Sequence, residues 1–220
     1  MDGPDSALRR LTREAGKLLR PYGFHGTEAS WTQVTAGGVA TIRRTRTQRT
    51  WTDGQQAIGF GLELCATPRA WWEFCNWRDG VRGLPPTALE HATGPGLIDQ
   101  RGLSEELTGL WSLRVDPAHR ARPALQADVD TVRAELPVRV HAYARRALRL
   151  LEPDAYLNEL LAEPNPQAAT WEAIVVLLAA HGPGPRLDDA VTQLRSSVAD
   201  PHESGADSAI AYLRGRAVPV

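Results

Sequence analysis

Ile58-Gly59-Phe60-Gly61-Leu62-Glu63-Leu64-Cys65-Ala66 is the stretch on which the fold class turns. Ile58, Phe60, Leu62, Leu64 and Ala66 alternate with Gly59, Gly61, Glu63 and Cys65. Successive side chains of a strand point to opposite faces, so this period of two predicts one half-buried strand over 58–66. One face is apolar, and the other carries small residues around the Glu63 carboxylate. Upstream, two β-rich runs at 27–35 and 39–51 are divided by Gly37-Gly38, a hairpin signal, and Asp53-Gly54 marks the next turn.

The period changes on either side of this meander. Leu8, Leu11, Ala15 and Leu18 recur at helical spacing over 6–20, and Pro21 with Gly23 ends the helix. Downstream, Thr67-Pro68 opens a tryptophan-rich helix with Trp71, Trp72 and Trp77. Residues 79–106 are rich in glycine and proline and predict a long irregular loop, the kind that is functional or mobile. A strand follows at 110–115. Beyond Pro123, Val129, Val132 and Leu136 line one helix that Pro137 should break or kink, and Val140, Ala144 and Leu148 continue a second. Further apolar stripes flank Gly182-Pro183-Gly184-Pro185 as an αα-hairpin. The expected architecture is α+β, an antiparallel meander with an N-terminal helix and C-terminal helices packed on one side. The expected domains are an α+β domain over 1–151 and a helical C-terminal extension over 152–220.

Composition excludes several function classes. A formal net charge of -1 on 220 residues gives no bulk field toward nucleic acid or an anionic membrane, so nucleic acid is disfavoured as a partner. No run approaches the roughly 18 apolar residues of a membrane span. The acidic start, Met1-Asp2-Gly3-Pro4-Asp5, lacks an apolar leader core, and the two cysteines, Cys65 and Cys75, form no framework. The expected compartment is the cytoplasm. Lys17 is the only lysine, which with the abundant Ala, Gly and Pro is read as GC-rich coding.

Several of these words occur together in one family. The order of helix, Pro21-Tyr22-Gly23-Phe24, Trp31, an arginine-rich strand, Phe60-Gly61-Leu62-Glu63-Leu64, Arg101, Trp111 and Leu136-Pro137-Val138 resembles the bacterial domain of unknown function 4304 family over about residues 6–150. The chain departs from that pattern at two polar positions. Arg44 or a neighbour stands where the family has glutamine, and Glu63 stands where it has asparagine. The resemblance implies a fold and no activity.

No Walker loop, zinc-protease motif, nucleophile elbow or paired-cysteine motif is present. The histidines, His25, His91, His119, His141, His181 and His202, are scattered singly, and no metal or cofactor is expected. Asp128 and Asp130 diverge on a helix, and Asp188-Asp189 suit a helix start. In one continuous strand Arg44 and Arg46 would share a face, with Arg43 and Arg49 on the other. Pairing Arg44 and Arg46 with Glu63 would build a patch for an anionic small molecule. Trp31, Trp51 and Trp111 are expected in the core. Trp71, Trp72 and Trp77 cannot all face one way, so one of them, with Trp72 the candidate, should be exposed or lie under the 79–106 loop. The expected function is a non-catalytic binding or interaction module with a protein partner, an immunity-like role being one version. The alternative is a small-molecule enzyme with Glu63 as general acid/base and the arginines on an anionic group.

Overall fold

A computed structural model of the chain describes residues 4–52, 54–117, 123–197 and 204–216. The fold is α+β with antiparallel sheets. Helix α1, Pro4–Leu19, buries Leu8, Leu11, Ala15 and Leu19, the spacing of one helical face. A 3-10 turn over Arg20–Tyr22 closes it, with Gly23 at φ 83, a left-handed position that suits glycine.

Strands β1 (His25–Gly26), β2 (Ser30–Thr35), β3 (Gly38–Arg44) and β6 (Leu62–Pro68) form one sheet in the order β1-β2-β3-β6. Strands β4 (Gln48–Thr52), β5 (Gln55–Phe60) and β7 (Trp111–Arg114) form a second, in the order β4-β5-β7. Two expected strands are therefore each divided. The 39–51 run breaks after Arg44 and the 58–66 run breaks at Gly61, and both halves change sheet at the same level.

The cause lies in the bonds at that corner. Thr45 N–H donates to the Gly61 carbonyl at 3.0 Å, while Gly61 N–H donates to the Thr45 hydroxyl at 2.8 Å. A side-chain oxygen thus replaces a ladder carbonyl. Gln48 faces Gly59, so three steps from Thr45 oppose two steps from Gly61, which is the extra residue of a bulge. The alternation survives the break, with Ile58, Phe60, Leu62, Leu64 and Ala66 all buried. Gly54, at φ 76, turns β4 into β5, and Asp53 lies outside the described residues.

Helix α2 (Arg69–Val81) starts directly after Pro68. The short α3 (Glu105–Thr108) precedes β7, and α4 spans Gln126–Arg149. Pro137 lies inside α4 and does not break it. Val129, Val132, Leu136, Val140, Tyr143 and Ala147 are buried on both sides of the proline, so packing of one continuous stripe outweighs the missing N–H. Helices α5 (Ala155–Leu161), α6 (Ala168–Ala179), α7 (Pro185–Ser197) and α8 (Ser204–Arg216) complete the chain. The αα-hairpin between α6 and α7 turns on Gly182 at φ 92, and Pro185 opens α7.

The chain forms two compact units. Unit 1 comprises Met1–Gln33, Ala40–Cys65 and Gln100–Leu148; unit 2 comprises Val34–Val39, Ala66–Asp99 and Arg149–Val220. In unit 1, Phe60 packs on Trp111 with ring centroids 5.4 Å apart, and the Trp111 indole donates to Glu135 at 2.9 Å. Arg139 lies 4.5 Å over the Trp111 ring and binds the same Glu135 carboxylate at 2.6 Å. In unit 2, α6 packs against α2, α5, α7 and α8, which accounts for burial of every residue over 173–179. Trp51 departs from the expected core: it is 63% exposed, whereas Trp31 and Trp111 are each 4% exposed. Its strand, β4, is the sheet's end strand, so among the described residues no further strand covers it.

Candidate functional site

The polar patch of unit 1 is built by strand register. Glu63 takes Arg43 as its partner, at 2.5 Å, with the two side chains 37% and 56% exposed. The pairing expected with Arg44 and Arg46 does not form. Arg44 is half-buried, and its guanidinium donates to the Thr45 carbonyl at 3.2 Å. Arg46 lies in the break between β3 and β4, exposed and with no side-chain bond among the described residues. Arg49, beyond the bulge, reaches Asp5 at 3.4 Å. The corner at Thr45 therefore disperses the arginines. An exposed Arg–Glu pair on a sheet surface is a modest stabiliser.

The tryptophan-rich helix of unit 2 is more organised. Trp71 and Phe74 are buried, and Phe74 and Trp77 pack on Tyr212 of α8 at 5.3 and 5.2 Å. Trp72, half-buried, points its indole N–H at the Thr87 carbonyl, 2.7 Å away, so it does lie against the 79–106 loop. Asn76, one turn further along α2, grips the same residue in both directions. Its amide donates to the Thr87 carbonyl at 3.0 Å, and its carbonyl accepts from Thr87 N–H at 2.8 Å. At the other end, Leu84 N–H donates to the Asp79 carbonyl at 2.9 Å. Residues 84–87 are thereby strapped along the helix as an extended, exposed arm.

The rest of the loop is anchored too. Ile98 is 1% exposed, and the buried Asp99 carboxylate accepts from Ala66 N–H and from the Tyr156 hydroxyl, each at 3.4 Å. Gly94 passes so close to β6 that a Cβ there would sit 2.2 Å from the Ala66 carbonyl. Sequence reading missed Asn76, Thr87 and Asp99. A usable signal existed for the first two: Trp72 and Asn76 stand four residues apart on one helical face, next to a Pro85-Pro86-Thr87 run.

Other chemistry-bearing residues settle into structural roles. Burial pushes the Cys75 thiol above its ordinary value against the opposing Arg78 charge, the reverse of an activated nucleophile. Asp128 holds Arg114 through bonds of 2.6 and 2.8 Å, while Asp130 binds Gln126 and Arg133, so the two carboxylates do not converge. Burial would raise the Asp128 carboxyl, but the Arg114 bonds outweigh it and hold the group below its usual range. His181 pairs with Asp154 at 2.9 Å on the surface; His119 and His202 lie outside the described residues. Among the described residues no three His, Cys, Asp or Glu side chains gather as metal ligands. No helix there is long and apolar enough to cross a membrane. A groove of about 730 Å³ in unit 2, lined by Leu187, Val191, Ile210 and Leu213, carries both signs of charge at Asp188, Arg195 and Arg214.

Compared with family models, with curated proteins and with solved structures, the chain matches none.

Proposed function

We propose that this chain is a non-catalytic binding protein, and that its contact surface is the strapped arm Leu84-Pro85-Pro86 beside Trp72. The observation that carries this reading is fixation at both ends, by Asp79 on one side and by Trp72 and Asn76 on the other, with the apolar side chains left outside. Val81 is 71% exposed and Leu84 54% exposed, and Pro85 and Pro86 are exposed between them and Thr87. Leu84 and Pro85 each precede a proline, which disfavours the helical region and favours polyproline geometry. A chain already held in that form loses little entropy on docking, and it fits an aromatic-lined groove on a protein partner. Partner neutralisation of the immunity type is one use of such a contact.

The enzyme alternative gains no comparable support. Glu63 already has a partner in Arg43, Arg44 binds the Thr45 carbonyl, and Arg46 has no side-chain bond among the described residues. The deciding experiment is capture of partners from native cell extract by tagged wild type, Leu84→Asp and Glu63→Gln proteins, with mass analysis of proteins and metabolites. A protein retained by wild type and Glu63→Gln but lost with Leu84→Asp is the expected result. A metabolite retained by wild type and lost with Glu63→Gln, without a protein, would sink the reading in favour of a small-molecule site.

A further inference from the structure

We propose that the outer edge of β4 is a homodimer interface, on which a second copy of this chain adds its own β4 antiparallel about a twofold axis at Thr50. Strand β4 ends the β4-β5-β7 sheet, and Gln48, Arg49, Thr50 and Trp51 are all exposed. The direction of its backbone groups follows from the ladder. Val115 N–H donates to the Gln56 carbonyl at 2.8 Å, so Gln56 and Ile58 turn their polar groups toward β7. The alternate residues, Gln55, Ala57 and Gly59, turn toward β4, where they face Thr52, Thr50 and Gln48. That leaves the N–H and C=O of Arg49 and Trp51 directed at the open edge.

The side chains match a second copy. With Thr50 opposite its own twin, Arg49 stands opposite Trp51 of the other copy, and Trp51 opposite Arg49. The Thr50 pair is then the non-hydrogen-bonded one, and the two Arg49–Trp51 pairs exchange backbone bonds, which is the alternation an antiparallel ladder requires. Each guanidinium lies beside a tryptophan ring across the axis, a cation–π pair made twice. The Asp5–Arg49 contact, at 3.4 Å between exposed groups, is too weak to oppose this.

Burial points the same way. Arg49 stands opposite Ile58 and Trp51 opposite Gln56, so both project on the face where Ile58 and Phe60 meet Leu113 and Trp111. The apolar face runs past the sheet's edge and ends on a tryptophan that is 63% exposed. The strand lacks the lysine or proline that commonly blunts such edges, and its one charge, Arg49, is the group that the other copy's tryptophan takes up.

Sedimentation of the full chain across a concentration series tests this. Wild type should show a concentration-dependent dimer, and Trp51→Lys should raise its dissociation constant about tenfold or more. Register is tested separately by mild oxidation. Thr50→Cys should link into a covalent dimer, because non-hydrogen-bonded partners sit about 4.5 Å apart at Cα, within disulfide reach. Gln48→Cys, two residues from the axis and leaving Trp51 in place, should not. A wild type that stays monomeric throughout, leaving the edge to an extended segment of some other protein, overturns the proposal. So does a dimer indifferent to Trp51→Lys, or a Thr50→Cys protein that links no faster than Gln48→Cys.

Discussion

Tyr143 shows how much one residue carries in unit 1. Its side chain is fully buried on α4, and its hydroxyl donates to the Leu62 carbonyl at 2.9 Å. Tyr143→Phe should cost about 1 kcal/mol in denaturant unfolding, since it removes the donor from a buried carbonyl. Burial also pushes the phenol up to about 12. A folded-state value above the unfolded one means the unfolded chain loses this proton first. The group's contribution is therefore complete below pH 10 and declines as pH rises from 10 to 12. Wild type should lose stability across that window more steeply than Tyr143→Phe. At Glu63 the expectation is the opposite of drama: Glu63→Gln should change stability by about 0.5 kcal/mol or less, because the Arg43 pair is exposed. Choosing Arg43 over Arg44 or Arg46 was beyond the sequence. Period two reveals which residues share a face, but a register differing by one residue exchanges every partner, and register depends on the bulge at Thr45.

Elements were legible where their pattern was long. The α1 stripe, the tryptophan helix after Pro68 and the α6–α7 hairpin can all be read from spacing and punctuation. The two broken strands could not, because alternation continues through Gly61 while the sheet changes. Pro137 misled for the opposite reason, since a local rule about proline yields to the buried stripe of a 24-residue helix. The 79–106 segment reads as irregular throughout, whereas its ends belong to α2 and α3 and a 3-10 turn spans Leu89–His91; the stretch between is tied down by Thr87, Ile98 and Asp99. Its tightest passage is Gly94 over β6. Gly94→Ala should destabilise by about 2 kcal/mol or more, because the new methyl meets backbone that cannot swing aside. Thermal unfolding of that variant against Gly96→Ala, where no atom stands within 4 Å, separates crowding from backbone strain.

At the scale of the molecule, unit 2 is assembled from three stretches of chain, and residues 149–220 are only the last. The rings of Phe74 and Trp77 that pack on Tyr212 come from α2. A fragment of residues 152–220 should consequently lack cooperative unfolding, as seen by near-ultraviolet dichroism and a calorimetric transition. Adding the 66–99 segment in the same chain should restore aromatic signal. A boundary near 151 is what a sequence offers, because helices there follow one another without strands. Which earlier segments they pack against is a non-local fact, and no alternation or cap encodes it.

The corner at Thr45 and Gly61 also bears on the order in which the chain assembles. Residues 38–68 are one long hairpin turning at Gly54, even though its arms belong to two sheets. Pairing that starts at Gly54 closes a loop of a few residues, and each later pair extends the ladder without closing a larger one. Both sheets can thus begin from a single local nucleus on the microsecond scale of hairpins, while β7 must arrive from some fifty residues away. Substitutions near Gly54 should slow refolding, whereas those in β7 should mainly speed unfolding.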